Sequence, residues 1–243
     1  MRIFLAGATG VIGRRLIPLL IAAGHVVTGT TRTPDESKIR ELKAAGVQPV
    51  VVNAMDDQGC VAAMEEARPE VVIHQLTALP DVMDPAKLAD VLEENSQLRI
   101  VGTANLIAAA LSAGATRMIA QSIAFAYAPG SEPHGESDPI ALPDGDVPSA
   151  ITARGVRALE NAVLNTPGID GIVLRYGRLY GPGTWNTPNA RAPLHVDAAA
   201  QAALLAVTRG EPGVYNIAEA DGAVTIDKAR NALGFDPAFR LSA

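Results

Sequence analysis

The chain has 243 residues, 48% apolar and 19% charged, which suits one α/β domain with a sizeable core and argues against global disorder. A formal charge of −6 with no Lys/Arg run excludes the basic footprint needed for nucleic acid or an anionic membrane surface. The single cysteine, Cys60, cannot close an internal disulfide, which fits a reducing compartment.

The N-terminal MRIFLAGATGVIG is apolar behind a basic residue, as a signal peptide is. Its glycines interrupt any continuous apolar helix, and Arg14 and Arg15 fall where a cleavage region belongs. No apolar run approaches the ~18 residues of a membrane span. The expectation is a soluble, cytoplasmic protein.

Short β-rich runs alternate with helical stretches, the pattern of a parallel sheet covered on both faces. In chain order the expected elements are a strand over Arg2–Ala6, a helix over Val11–Ala23 stopped by Gly24, and a strand over His25–Thr30. A helix opened by Pro34-Asp35 runs to Ala45, before a strand over Val50–Val52 and a helix over Gln58–Arg68. Val71–His74 is a strand, Pro85–Ala113 one long helix, and Met118–Gln121 a strand. Residues 122–147 form a Pro/Gly/Ser/Asp-rich loop too long for a mere connector. Pro148 starts a helix to Asn165, followed by a strand at Gly171–Arg175, a helix at Asp197–Thr208, a strand at Val214–Ala218 and a helix at Thr225–Leu233. The fold class is α/β, a Rossmann-type doubly wound parallel sheet over residues 1–243 as one domain. Its substrate-side elements are 122–147, 176–196 and 219–243, a reduced C-terminal region.

Gly7-Ala8-Thr9-Gly10-Val11-Ile12-Gly13 lies between the first strand and the first helix. A glycine triplet alone is weak evidence, but this strand–turn–helix context is the one a dinucleotide requires. Gly7 permits the turn, Gly10 lets the backbone approach a pyrophosphate, and Gly13 lets the helix pack on the sheet. The helix N-terminus then turns free N–H groups toward the phosphates. At the end of strand two, where a NAD-selective chain carries an acid, the sequence reads Thr30-Thr31-Arg32. A carboxylate would repel a 2′-phosphate, whereas Arg32 can bind it, so NADP(H) is expected over NAD(H). Arg14 could add positive charge nearby. The bland alternative for Arg32 is a solvated loop arginine.

GATGVIG, Arg32, LRYGRLYGPG, PLHVDAAAQA and VYNIA, in this order over most of the chain, resemble the extended short-chain dehydrogenase/reductase family of NAD(P)-dependent epimerases, dehydratases and reductases. The resemblance implies that Gly7, Thr9, Gly10, Val11, Ile12 and Gly13 cradle the pyrophosphate and that Asp56 reaches the adenine. Leu76-Thr77-Ala78 would line the dinucleotide, Ser122 would be the active-site hydroxyl, and Tyr180 to Gly183 the turn near the nicotinamide; Tyr176, just before that turn, is also expected to contact the cofactor. His195 and Asp197 would match a motif opening a late helix.

One departure matters more than these matches. The family's proton donor is a Tyr followed four residues later by a Lys, and four further on a Glu, here Glu160. Counting back places Val156 and Thr152 at the Lys and Tyr positions, and none of Tyr127, Tyr176, Tyr180 and Tyr215 has Lys four residues later. A buried tyrosine without a nearby cation keeps a pKa near or above its ordinary value of about 10. Three repairs are open: Tyr127 beside Ser122, Tyr176 at the end of strand six, or charge from Arg154 or Arg157, which cannot easily shuttle a proton. Ser122 with Tyr127 ranks first, against Tyr127 as an aromatic packed under its own loop.

His74 ends strand four at the cofactor edge and reads more simply as a core histidine. His195 and Asp197 are too few for a metal site, and helix capping by Asp197 is the simpler reading; no metal is expected. His134, Glu136 and Asp138 read as a solvated acidic loop, and Cys60 as a small core residue. Trp185 either walls the substrate pocket or covers surface. Together these point to an NADP(H)-dependent oxidoreductase or epimerase/dehydratase acting on a small carbonyl or sugar-like substrate. A dinucleotide-binding regulatory protein and a non-redox isomerase or cyclase are the alternatives. The short substrate end implies a pocket that is either shallow or completed by a partner subunit, and helices 85–113 and 148–165 match those the family pairs into a homodimer.

Overall fold

The computed structural model describes residues 1–80 and 84–241, so the last two residues of the expected tail lie outside it. The first half runs β1 (Arg2–Ala6), α1 (Val11–Ala22), β2 (Val26–Thr31), α2 (Glu36–Ala44), β3 (Gln48–Val51), α3 (Asp57–Ala67), β4 (Val71–His74), α4 (Leu88–Gln97) and α5 (Thr103–Ser112). The second half runs β5 (Arg117–Ile123), α6 (Pro148–Asn165), β6 (Asp170–Tyr176), β7 (Arg178–Tyr180), β8 (Pro193–His195), α7 (Val196–Ala206), β9 (Gly213–Ile217) and α8 (Asp227–Leu233). Seven parallel strands are ordered β3-β2-β1-β4-β5-β6-β9, a Rossmann-type doubly wound sheet. The strand order reverses between β1 and β4, which opens a crevice at the carboxyl edge between them.

β1 reads as an unbroken apolar run because both sheet faces are covered. Ile3 and Leu5 enter one core with α1 and α7, while Phe4 and Ala6 enter the other with α3 and α5. In α1 the residues Ile12, Leu16, Ile17 and Leu20 fall on one helical face and are buried together. The alanines of α7 (198, 199, 200, 202, 203 and 206) are fully buried, letting that helix lie close against the same sheet face.

Three sequence expectations need correction here. The single helix over 85–113 is a 3-10 turn (Pro85–Lys87), α4, a π turn (Leu98–Gly102) and α5. The wider π turn shifts the helix faces so that Asn95, Ser96, Arg99, Gly102 and Thr103 all point inward. β7 and β8, a separate two-stranded parallel sheet, were not anticipated, because three-residue strands carry too little periodicity to read. α7 is capped by His195, whose Nδ1 accepts from the Asp197 amide at 3.2 Å; Asp197 sits in the first turn, where its carboxylate meets Arg15 at 3.6 Å. Among the described residues no helix is long and apolar enough to cross a membrane.

Candidate functional site

At the junction of β1 and α1, Gly7 adopts φ 94° and donates its amide to Thr30 Oγ1 at 3.1 Å. A Cβ on Gly7 would stand 2.8 Å from the Gln75 carbonyl oxygen, and one on Gly13 only 2.2 Å from that of Gly7. Hydrogen bonding in α1 begins with Arg14 N to Gly10 O at 3.0 Å, and Gly10 supplies no side-chain cap. The amides of Val11, Ile12 and Gly13 therefore find no acceptor among the described residues, and they point outward at the positive end of the helix dipole. This turn can seat an anion.

From it a groove of ≈590 Å³ runs along the carboxyl edge of the sheet, past Thr9 and Arg32 to Asn53 and the Leu76-Thr77-Ala78 loop. His74 Nδ1 accepts the Leu76 amide at 3.2 Å and Asn95 Oδ1 accepts the Ala78 amide at 2.9 Å, so the far wall is fixed. Gln75 also lines the groove; its Nε2 donates to the Tyr176 hydroxyl, and its buried Oε1 has no partner among the described residues. Arg32 Nη1 lies 3.6 Å from Glu94 Oε1 with both side chains about two-thirds exposed (69% and 64%), a loose pair that a stronger anion can displace. The glycine cradle, the three free amides and the orphaned Gln75 oxygen fit a dinucleotide. Sequence reasoning missed Lys38, Asn53, Asn95 and Gln75, none of which lies in a recognisable motif.

Three expected cofactor contacts are placed elsewhere. Asp56 caps α3, its Oδ1 accepting from Gly59 N at 3.0 Å, and the groove wall at this point is Asn53-Ala54-Met55. Tyr176 is the last residue of β6 and faces the inner core, 1% exposed, with its hydroxyl donating to the Ala199 carbonyl at 3.2 Å. Burial holds its pKa well above the ordinary phenol value. Arg14 turns away to Glu41, 3.0 Å distant, beside a separate recess between α1 and α2.

Ser122 and Tyr127 are brought into one polar network, though not face to face. Ser122, 1% exposed, donates to Glu160 Oε1 at 2.6 Å. Arg175 donates to that oxygen from Nε at 2.9 Å and to Oε2 from Nη2 at 2.7 Å. Arg175 Nη1 reaches the Tyr127 hydroxyl at 2.9 Å, and that hydroxyl donates to Asn216 Oδ1 at 2.6 Å. Tyr127 also stacks on His134, with ring centroids 4.9 Å apart. Burial raises the Tyr127 pKa more than the Arg175 charge lowers it. Both hydroxyls are thus committed to internal partners. The loop containing His134, Glu136 and Asp138 is correspondingly not a solvated acidic strip: Glu136 Oε1 accepts the Asn216 amide at 3.0 Å and the Glu136 carbonyl accepts from Arg175.

At the expected Lys position Val156 is fully buried, and Gly155 packs so tightly on Ser96 that a Cβ would lie 2.9 Å from it. The Tyr and Lys positions therefore offer neither a phenol nor an ammonium. Arg154 is occupied by Asp146 and Glu93 at 3.3 and 3.4 Å. Tyr180 donates to Glu219 Oε1 at 2.6 Å and accepts from Arg240 at 2.8 Å, with its pKa raised by burial and then by the carboxylate. The Tyr180–Gly183 turn does reach the phosphate end, since a Cβ on Gly183 would lie 3.4 Å from Val11 Cγ2. Cys60 is a buried core thiol pushed up to about 11 by burial and by Asp56 and Asp57.

This fold and glycine cradle define a dinucleotide-binding α/β protein, and the comparisons give its family. Residues 3–193 match the NAD dependent epimerase/dehydratase family, and the chain belongs to it. It is 41% identical over 225 residues to a 3-diazoavenalumate denitrifying reductase of a Streptomyces species, covering 92% of this chain and 70% of that protein. It is 29% identical over 203 residues to cinnamoyl-CoA reductase 1 of Petunia hybrida, spanning 78% of this chain but only 57% of that relative. Among solved structures it is similar to a UDP-glucose 4-epimerase of Thermotoga maritima with UDP-glucose (TM-score 0.78, 19% identity, 99% and 94% of the two chains). A UDP-glucuronic acid 4-epimerase of Bacillus cereus with UDP-glucuronic acid and NAD matches at TM-score 0.77 and 17% identity, covering 99% and 95%. At these identities the solved structures speak for the fold.

Proposed function

We propose that this protein is an NADPH-dependent reductase that removes the diazo group of an aromatic compound as dinitrogen. The observation carrying this reading is that the family's proton-donating positions hold Thr152 and the sealed Val156, while Ser122 and Tyr127 are bound inside the protein. Such a site suits a reaction that takes a hydride and needs no proton from a side chain. Replacing the C–N bond of an aryl diazonium by C–H meets that condition. The hydride pair forms the new bond, the C–N pair leaves on dinitrogen, and charge balances without an acid. A bound reduced nicotinamide would supply the hydride.

The chain's own residues would bind and orient. The Val11, Ile12 and Gly13 amides hold the pyrophosphate, and Arg32, released from Glu94, holds the 2′-phosphate. Gln75 Oε1 and the Leu76–Ala78 wall position the far half of the dinucleotide. Ser122, Glu160, Arg175 and Tyr127 act as positioning residues that tie the start of the long loop to the carboxyl end of the sheet. The sequence similarity to the diazoavenalumate reductase supports this substrate class. We propose further that the helical segment 85–113 and α6 form a homodimer interface, which a solution mass equal to the monomer's would refute.

The test is to supply NADPH deuterated at the transferable C4 position together with an aryl diazonium compound. Coenzyme oxidation, equimolar dinitrogen and deuterium on the former C–N carbon are expected. Oxidation of NADPH by aldehydes or cinnamoyl thioesters, with no dinitrogen from the diazo compound, would replace this reading by carbonyl reduction. Tight NADPH binding with no turnover of either class would favour a sensing role.

A further inference from the structure

In the β5–β6 pair Ile123 lies opposite Tyr176. Two residues beyond this last pair, along each strand's direction, come Phe125 and Arg178, both over the carboxyl edge of the sheet. The Arg178 Cζ stands 4.3 Å from the centroid of the Phe125 ring. Phe125 is 43% exposed, unusual for an aromatic with a core available below it. Arg178 is half-buried, and its backbone is anchored by donation from its amide to the Ala192 carbonyl at 2.7 Å. Unlike Arg175 beneath it, whose charge Glu160 cancels, the Arg178 guanidinium has no carboxylate partner or hydrogen bond among the described residues. From Arg178 the chain runs through β7 to the Gly183 turn, which packs on Val11 at the start of α1, and β5 and β6 follow β4 in the sheet, so the pair stands on the same carboxyl edge as the dinucleotide groove.

A guanidinium stacked on an aromatic face keeps its N–H donors in its own plane, directed sideways. The stack fixes its orientation, so less side-chain entropy is lost when an anion binds. A planar carboxylate matches that fork in a two-bond arrangement, and the rest of the exposed ring offers a surface to a conjugated body. In a chain of net charge −6 an anionic substrate needs such a local cation to be held.

We propose that Arg178 and Phe125 form the substrate subsite for a conjugated aromatic carboxylic acid. Arg178 binds the carboxylate, and Phe125 packs against the aromatic body while holding the guanidinium in place. This rests on the reading of the protein as a reductase of aromatic compounds. It names the part of the substrate that lies away from the reacting carbon.

The test reads binding alone. Protein saturated with whichever nicotinamide coenzyme it binds is titrated calorimetrically with 4-hydroxycinnamate, with its methyl ester, and with UDP. The acid is expected to bind at least ten-fold more tightly than the ester. Arg178→Ala should erase that preference while leaving coenzyme affinity unchanged, which also shows that the variant is folded. Phe125→Ala should weaken both acid and ester, the acid more because the guanidinium loses its support, and Arg178→Lys should keep part of the preference. Equal binding of acid and ester, binding of neither, tighter binding of UDP, or an undiminished preference in Arg178→Ala overturns the proposal. No turnover is measured, so a failed diazo assay and a failed titration are separate results.

Discussion

Glu160 and Arg175 close a two-bond ion pair at 2.9 and 2.7 Å, with side chains only 7% and 6% exposed. It bridges α6 to β6, and the hydroxyls of Ser122 and Tyr127 attach at its opposite ends. Removing one partner leaves a buried charge without compensation, which costs about 3–5 kcal/mol. Glu160→Gln and Arg175→Met should each lower the urea-unfolding free energy by that order. The Glu160→Met/Arg175→Met double variant should lose less than the sum of its single changes, because both buried charges go together. Additive losses would show that the two side chains do not act as a pair.

Ser122→Ala separates structure from chemistry. The hydroxyl donates a hydrogen bond to the Glu160 carboxyl that also binds Arg175, and loss of a bond to a charge-paired group is expected to cost about 1.5–3 kcal/mol of stability. Coenzyme affinity should be unchanged, and turnover on a diazo substrate should stay within a few-fold. A drop of several orders of magnitude in kcat, with stability intact, would make Ser122 a reacting group. Tyr127→Phe should behave in the same way, and the pH profile of kcat should not move.

His74 gives a pH signature. It is 1% exposed; Nδ1 accepts from Leu76, so Nε2 carries the proton and donates to Thr103 Oγ1 at 3.1 Å. Burial, aided by the Arg99 charge, lowers its pKa from 6.5 to about 4. Below pH 6.5 the unfolded chain takes up a proton that the folded one refuses, so stability falls as pH drops toward 4 and is level beneath it. At 1.36 kcal/mol per unit the full loss is about 3 kcal/mol. His74→Asn keeps an acceptor for Leu76 but does not titrate. Urea midpoints of wild type and variant should converge as pH falls from 6.5 to 4; parallel curves would exclude His74 as the source.

The phosphate turn was legible in the sequence because its determinants are local. Gly7 and Gly13 are required by contacts inside a seven-residue stretch and by the strand beside it. The sheet was legible for a similar reason: strands buried on both faces are written as apolar runs. What escaped depends on the parity of a strand end or on packing between distant segments. Ending β6 at Arg175 hid the alternation that sends Ile172, Leu174 and Tyr176 to one face and Arg175 to the other. Asp56 was assigned to the adenine, but an Asp preceding a helix finds its nearest donors in the first-turn amides of that helix. The π turn that buries Arg99 is a shift of hydrogen-bond register, which residue type alone does not announce.

In the proposed reading as an NADPH-dependent enzyme, Arg32 is the residue that selects the coenzyme. Its guanidinium is exposed and, among the described residues, paired with Glu94 alone at 3.6 Å, an interaction of the kind worth about 0.2–1 kcal/mol. Charge-assisted bonds to a 2′-phosphate are worth about 1.5–3 kcal/mol, so the phosphate wins the arginine. Arg32→Ala should therefore weaken NADPH binding by about 10- to 100-fold and leave NADH binding nearly unchanged. Glu94→Gln works in the opposite direction. It frees Arg32 and removes a negative charge that a doubly ionised phosphate would meet, so NADPH should bind a few-fold more tightly. Both effects should shrink as salt is raised, because exposed charges are screened. Equal losses of NADPH and NADH affinity in Arg32→Ala would show that the residue supports the groove without reading the phosphate, and the coenzyme preference would then have to come from Lys38 or the Thr30–Thr33 backbone.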